Sequence, residues 1–306
     1  MAHHETVHPV LHALGFPAAH KVAIFHADDV GMCHGSNLAF GELSRTGAIT
    51  CGAVMVPCPW FSEVAGMAGA TPDLDLGVHL TLTSEWRAYR WAPISTASRS
   101  SGLIDEHGYL WRRLPLLAAH LVPEAAEAEM RAQIERALRA GIDVTHLDTH
   151  MGAVMLPQYL PAYIGLAIEF RVPVFFPRLN ERRLAAQGDG QQVYAEQHDR
   201  LEALGWPLLD TIIHRTLSEI EPAEKDRRFR EMFASLRPGL THFLVHPCKD
   251  GGELAAMSPT DARHRAAEYE IFRLPDLRNY CEGLGIKLTG YREIRDRLRA
   301  SLPARV

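Results

Sequence analysis

Residues 22–31 read VAIFHADDVG, an apolar run of strand length that ends on two adjacent carboxylates, Asp28 and Asp29. The run reads as a buried strand. Neighbouring like charges repel and burial raises the cost of ionising each, so packing alone is a poor use of this pair. A positive partner, most simply a metal ion, would accommodate both. Carboxylates at the C-terminal end of a buried strand are also where α/β barrels keep their chemistry.

Working outward, apolar runs of strand length alternate with helical patterns, the signature of βαβ units. The expected strands are Val22–His26, Ile49–Val54, Leu74–Leu80, Val144–Thr149, Val172–Phe176, Asp210–His214, His242–His246 and Ile286–Leu288. That series predicts a closed or nearly closed α/β barrel. The clearest helix is Glu124–Gly141, where Met130, Ile134 and Leu138 recur four residues apart and Gly141 supplies a stop. Further helices are expected over Ser36–Arg45, Gln158–Phe170, Pro222–Leu236 and Asp261–Gly283. No repeat or low-complexity linker divides the chain, so residues 1–306 are expected to form a single domain. Periodicity fades only at residues 84–123, which are rich in Trp, Tyr, Arg and Ser. A long insertion of this kind reads as a lid or binding loop over the strand ends.

Composition fits that architecture. The 306 residues are 47% hydrophobic and 23% charged, with a formal net charge of -5. A mildly acidic balance argues against a broad nucleic-acid surface. Cys33, Cys51, Cys58, Cys248 and Cys281 are odd in number and lack the close spacing of a zinc knuckle or redox motif, so reduced thiols in the cytoplasm are expected. Neither a signal peptide nor a membrane span is expected, and the tendency to form a homo-oligomer stays open.

Further strand ends carry metal-ligand residue types. His79 in GVHLTLT points opposite to Val78 and Leu80 under strand alternation. In THLDTH, His146, Asp148 and His150 share one face and Leu147 takes the other, while FLVHP ends on His246. Such a collection is harder to assign to chance than any member of it. One carboxylate with two imidazoles suits Zn²⁺ or another divalent metal with positions left open, and a second carboxylate can remain free as a base. The bland readings are a hydrogen-bonded core histidine for His79, a turn residue for His246, and a supporting pair for His146 and Asp148. His20, His34, His214, His242 and His264 read as structural or solvated.

Taken in order, these segments resemble the YdjC-type carbohydrate deacetylases, the ChbG/HpnK family. HADDVG is similar to that family's NADDFG, GVHLTLT to G-[VM]-H-[LF]-x-L-T, THLDTH to HLDSH, VHP to HPG, and LIDEHGYLW to L-[VI]-D-x-x-G. The resemblance runs from about Lys21 to about Tyr291. It implies a TIM-like barrel of the NodB type, one divalent metal ion such as Zn²⁺ or Mg²⁺, and removal of an N-acetyl group from a small N-acetylated carbohydrate. Residue by residue, it implies Asp29, His79 and His150 as metal ligands, Asp28 as the general base and His246 as the acid that protonates the departing amine. Arg178 falls near the place of a family arginine that orients the base. An amine leaves poorly unless protonated, so an acid opposite the base is chemically required.

The departures are local. Met151-Gly152 follows His150 where the family continues H-x-H, and Cys248 replaces the glycine of HPG. Both border the predicted site and point to an altered substrate. Trp86, Tyr89, Trp91, Tyr109 and Trp111 offer flat faces for sugar stacking or for pinning the loop, with Trp86 and Trp91 the substrate candidates. Competing readings are a barrel metallohydrolase acting on another bond, such as a phosphoester, and an inactive sugar-binding relative. The first predicts a second metal cluster or several Arg and Lys near the strand ends; the second leaves Asp28 and His246 without a purpose.

Overall fold

The opening stretch forms β1 (Lys21–Val30), buried over nearly its whole length, in a computed structural model that describes residues 9–303 apart from Ala18, Arg215, Asp250 and Gly251. Along one edge β1 pairs in parallel with β6 (Gly239–Val245). Its other edge is shared, with β7 (Ile286–Leu288) against the first half and β2 (Cys51–Val54) against the second. The sheet continues from β2 to β3 (Leu76–Leu80) and β4 (Leu147–Thr149), and β5 (Thr211–Ile213) extends it beyond β6.

Parallel bridges between Leu147 and Val174 and between Pro177 and Leu209 carry the ring from β4 round to β5. Leu147 N donates to Pro173 O, Phe175 N to Leu147 O, and Leu209 N to Phe176 O. The expected strand Val172–Phe176 is therefore a bridging segment rather than a regular strand. Pro173 and Pro177 each remove a backbone donor, which shortens the ladder. The result is the expected α/β barrel of parallel strands.

Alternation along β1 separates two cores. Val22 and Ile24 point inward to Leu209, Leu240 and Tyr291, and Leu11 and Leu14 join the same cluster. Ala23, Phe25 and Ala27 point outward into the larger core beneath the helices. There Phe25 packs against Phe233, Phe243 and Phe272. On β3, a side chain at Gly77 would stand 2.5 Å from the His146 ring, so glycine is what lets that imidazole lie against the strand.

The expected helices form with informative changes. Pro123–Arg139 buries Met130, Ile134 and Ala137, whereas Leu138 is 43% exposed. A repeat of four residues drifts around a helix of 3.6 residues per turn, so the third position inward is 137. The predicted helix Asp261–Gly283 is two helices, Pro259–Arg273 and Pro275–Gly283. Leu274 between them is extended because the proline ring that follows disfavours helical geometry there. The predicted Pro222–Leu236 begins as a 3-10 turn, Pro222–Glu224, before the helix Lys225–Ala234. The other two become His34–Thr46 and Leu160–Phe170. Among the described residues no helix is long and apolar enough to cross a membrane.

Candidate active site

The adjacency of Asp28 and Asp29 is resolved by the backbone. Alternation carries Asp28 inward with Val22, Ile24 and His26, and would carry Asp29 outward. Instead Asp29 has φ 58°, and the register of β1 on β2 shifts between Ala27 and Val30. This irregularity turns Asp29 back toward its neighbour. A short polar side chain tolerates the left-handed region better than a branched one, and such strain collects at functional sites.

Asp29 sits at the centre of a buried cluster. Its Oδ1 lies 3.3 Å from His79 Nε2 and 3.1 Å from His150 Nδ1, while its Oδ2 accepts from Arg265 at 2.6 Å. The far nitrogen of each imidazole is also held. His79 Nδ1 is 3.1 Å from Asp148, and His150 Nε2 is 3.0 Å from Glu85. Carboxylates so placed fix ring orientation and raise the basicity of the ring nitrogen that faces Asp29.

Asp28 belongs to a second chain of contacts. Its Oδ1 is 2.6 Å from His26 Nδ1, and His26 Nε2 is 2.7 Å from His146 Nε2. Thr145 Oγ1 lies 3.0 Å from His146 Nδ1, and the His146 ring stacks on Tyr291 with centroids 4.0 Å apart. Burial lowers His26 to about 4 and His146 well below its ordinary value, so both rings are neutral. With Asp28 ionised, His26 donates to it and in turn accepts from His146. The other oxygen of Asp28 lies 3.8 Å from His246 Nε2. His246 is fixed through its backbone, whose N–H donates to Glu268 at 2.5 Å, and Glu268 is paired with the buried Lys225 at 2.6 Å.

The two aspartates are pulled in opposite directions. For Asp28, burial and the nearby Asp148 push the carboxyl well above the usual range. For Asp29, burial is outweighed by the Arg265 guanidinium and the two imidazoles, which hold it well below that range. Carboxyls separated in this way can divide ionic and proton-transfer roles. Burial opposes charge on the histidines too, yet Asp148 raises His79 well above its ordinary value, and Glu85 with Asp29 raises His150 to about 9. Burial and the Arg265 charge lower His246 to about 3, so its imidazole rests neutral.

Asp29, His79 and His150 offer ligand atoms that all lie within 4.8 Å of one another. Asp28, Asp29, Glu85 and Asp148 surround them with carboxylates, and the Arg265 guanidinium pairs with Asp29. The donor set of one carboxylate and two imidazoles, with each free ring nitrogen already oriented, fits a divalent cation. Histidines that take up protons here compensate the same negative charge.

A cavity of about 520 Å³ opens above this cluster, with Asp28, Asp29, His79, His150, His246 and Arg265 in its wall. Met155, Phe175, Pro177, Leu179 and Leu217 supply apolar lining, with Arg183 and Gln187 among the polar residues of the wall. His214, which sequence reading set aside, also lines it, as does Gly152, whose φ of 71° suits glycine. His146 lies deeper, against His26. Arg178 is not brought to the cluster: the strand segment turns its side chain away from the cavity, where it pairs with Glu202 at 2.6 Å and Asp210 at 3.2 Å. The arginine that reaches the aspartates is Arg265, from a helix with no motif to announce it.

Of the long loop, Glu85 lines the cavity and Trp86 and Trp91 do not. Trp86 Nε1 donates to Asp261 at 3.2 Å and Trp91 Nε1 to Thr83 O at 2.9 Å, and the two rings pack edge to face. Trp91 also backs the His150 ring, with centroids 6.1 Å apart. These aromatics pin the loop so that Glu85 meets His150. Glu85, Arg265 and Glu268 are the residues that sequence reading missed. His26, inside HADDVG, was given no role either; it and Glu85, directly following GVHLTLTS, stood at recognisable motifs, whereas Arg265 and Glu268 did not.

Comparison with known proteins places these residues in context. The family described as YdjC-like protein matches residues 22–283. A carbohydrate deacetylase of Thermus thermophilus is 32% identical over 275 residues, covering 84% of this chain and 88% of that protein. One from Brevibacillus brevis is 30% identical over 271 residues, covering 89% and 98%. A crystal structure from Enterococcus faecalis, linked by its description to cellobiose-phosphate cleavage, shares the fold with a TM-score of 0.73 at 23% identity, over 90% of this chain and 99% of that one.

Proposed function

The chain belongs to the YdjC-like protein family, and from that premise we propose that it is a divalent-metal-dependent hydrolase that removes an N-acetyl group from an amino sugar or N-acetylated oligosaccharide. The observation that supports this reading is the meeting of Asp29, His79 and His150, with Asp28 adjacent, in the wall of one cavity. Curated relatives over most of the chain are named carbohydrate deacetylases.

In this reading Asp29, His79 and His150 hold the cation, with Asp148 and Glu85 orienting the two rings. A bound divalent ion lowers the pKa of water toward about 7 and polarises an amide carbonyl. Asp28 takes the proton from the attacking water, its orientation set by His26 at 2.6 Å. Asp28 and His246 stand 3.8 Å apart, so a proton gathered by the carboxylate has a short path to the imidazole. His246 rests neutral and becomes an acid only after receiving that proton, which it then gives to the leaving nitrogen. Among the described residues, the buried Arg265 Nε and one terminal nitrogen have no hydrogen-bond partner, leaving donors for the oxygen that gains charge. The apolar residues of the lining suit the flat face of a sugar ring or an acetyl methyl.

The test is acetate release from a panel of N-acetylated sugars by the metal-loaded protein, beside Asp28→Asn and His79→Ala. Release by the parent with loss in both variants is expected. No acetate from any substrate, or full activity in the variants, would sink the reading.

A further inference from the structure

Away from the metal cluster, Cys33 and Cys248 lie 215 positions apart in sequence and yet bring their Sγ atoms to 3.7 Å. Cys33 is the residue that opens the helix His34–Thr46, four positions after Asp29; Cys248 follows His246 by two. The two loops are already tied to each other and to the site. Lys249 N donates to Gly35 O at 2.9 Å, and Cys248 N to Arg265 O at 3.2 Å. Gly35 is part of the arrangement, because a Cβ there would stand 2.6 Å from the Cys248 sulfur. The absent side chain leaves Cys248 room to reach its partner.

Cys33 and Cys248, both buried, border a cavity of about 270 Å³ outside the candidate metal site, together with His34, Trp60, Lys249 and Glu253. A small oxidant has space to enter. Cys33 carries the features of a reactive thiol: a helix N-terminus, which favours a thiolate, a hydroxyl at 2.9 Å from Ser36, and the neighbouring sulfur. Contact with the Cys248 sulfur, followed by Ser36 and the charge of Arg265, draws Cys33 down to about 7 against the opposing effect of burial. Cys51, Cys58 and Cys281 differ, since burial pushes each thiol up.

We propose that Cys33 and Cys248 form an oxidative modification site for hydrogen peroxide, with Cys33 the attacking thiolate and Cys248 the resolving thiol. Cys33 Sγ attacks one peroxide oxygen; the O–O bond breaks, an S–O bond forms, and the departing hydroxide takes a proton to leave as water. Cys248, having lost its proton, attacks the resulting sulfenic acid; the S–S bond forms, the S–O bond breaks, and the hydroxide leaves as a second water. Two thiols are oxidised to one disulfide and one peroxide is reduced to two waters. The sulfurs must close from 3.7 Å to about 2.05 Å, which side-chain rotation at two loop residues can supply. The bond would join the turn that follows the aspartates of β1 to the segment after β6 that carries His246.

The test uses the full chain, reduced, freed of reductant and titrated with hydrogen peroxide. Intact mass should fall by two hydrogen atoms and return on adding dithiothreitol, and a non-reducing digest should yield one peptide pair linked through Cys33 and Cys248. In Cys248→Ser the reaction should stop at a Cys33 sulfenic acid captured by dimedone. In Cys33→Ser no linked pair should form. The parent-chain measurements require no variant to fold. Oxidation of any other thiol in the parent before the linked pair appears would overturn the proposal, as would peroxide consumption by Cys33→Ser at the parent rate. Neither readout depends on the deacetylase reading.

Discussion

The two ends of the barrel interior are built on the same strands and have opposite chemistry. At the start of β1, Val22 and Ile24 meet Leu209, Leu240 and Tyr291 in an apolar plug. A few residues further along, the same face of the strand presents His26 and Asp28 to His146, His79 and His246. Burial is nearly complete at both ends. What differs is whether burial is favourable: an apolar side chain gains about 25 cal/mol per Å² removed from water, while a buried charge costs free energy unless paired. The lower end stabilises the barrel, and the upper end holds groups that tolerate burial only in each other's company.

That contrast can be broken or sharpened by experiment, beginning with the largest effect. Asp28→Asn should lower deacetylation by roughly 10²–10⁴-fold while thermal unfolding stays at or above that of the parent, since a repelling carboxylate is gone. A variant that melts lower and keeps its rate would erase the distinction between the two ends. At the other end, Ile24→Ala should cost about 2–5 kcal/mol in urea unfolding, with turnover per folded molecule unchanged. Loss of turnover in a fully folded Ile24→Ala protein would mean that the plug takes part in the chemistry.

The pH response of the metal-free chain separates the ends further. His150 stands at about 9 folded against an ordinary 6.5, because Glu85 and Asp29 favour its charged form despite burial. The stability it contributes is therefore complete below pH 6.5 and is lost as pH rises through about 9, on the order of 3 kcal/mol. His150→Gln should flatten that slope in chemical unfolding. Divalent metal must displace the same protons, so its affinity should rise with pH, and titration calorimetry in buffers of different ionisation heat should register proton release. Proton-neutral binding would contradict the ligand set.

Smaller effects test the supports. Glu85→Ala should weaken metal binding by roughly 10–100-fold, with Glu85→Gln recovering part of the loss, as followed by competition with a chelating dye. Arg178→Ala should change stability by no more than about 1 kcal/mol and leave kinetics alone. A strong kinetic defect there would restore the role that its place in the sequence suggested.

Local patterns carried far in this chain because its strands are short, parallel and buried, so strand ends coincide with breaks in hydrophobicity. The series of strands, and with it the barrel, could be read in that way, as could the residue types of the candidate metal cluster. Strand alternation correctly placed His79 opposite Val78 and Leu80, and His146 and Asp148 opposite Leu147. Differences arose where spacing, or for Arg178 a resemblance in position, was used. Leu138 drifted out of the helix face, Leu274-Pro275 split a helix, and Arg178 turned away from a site that its neighbours Pro177 and Leu179 line.

What the sequence determined by itself is therefore the order of elements and the donors at each strand end, since both follow from periodicity and residue chemistry within a few positions. Only the tertiary structure decided how those donors meet. The left-handed turn at Asp29, the guanidinium of Arg265 delivered by a distant helix, the Glu85 carboxylate on His150, and the Cys33–Cys248 contact all join residues far apart in the chain or reverse a local rule. Closure of the barrel creates those neighbours, and the low dielectric inside it sets their charges. Neither is written in any single stretch, including the HADDVG on which the fold turns.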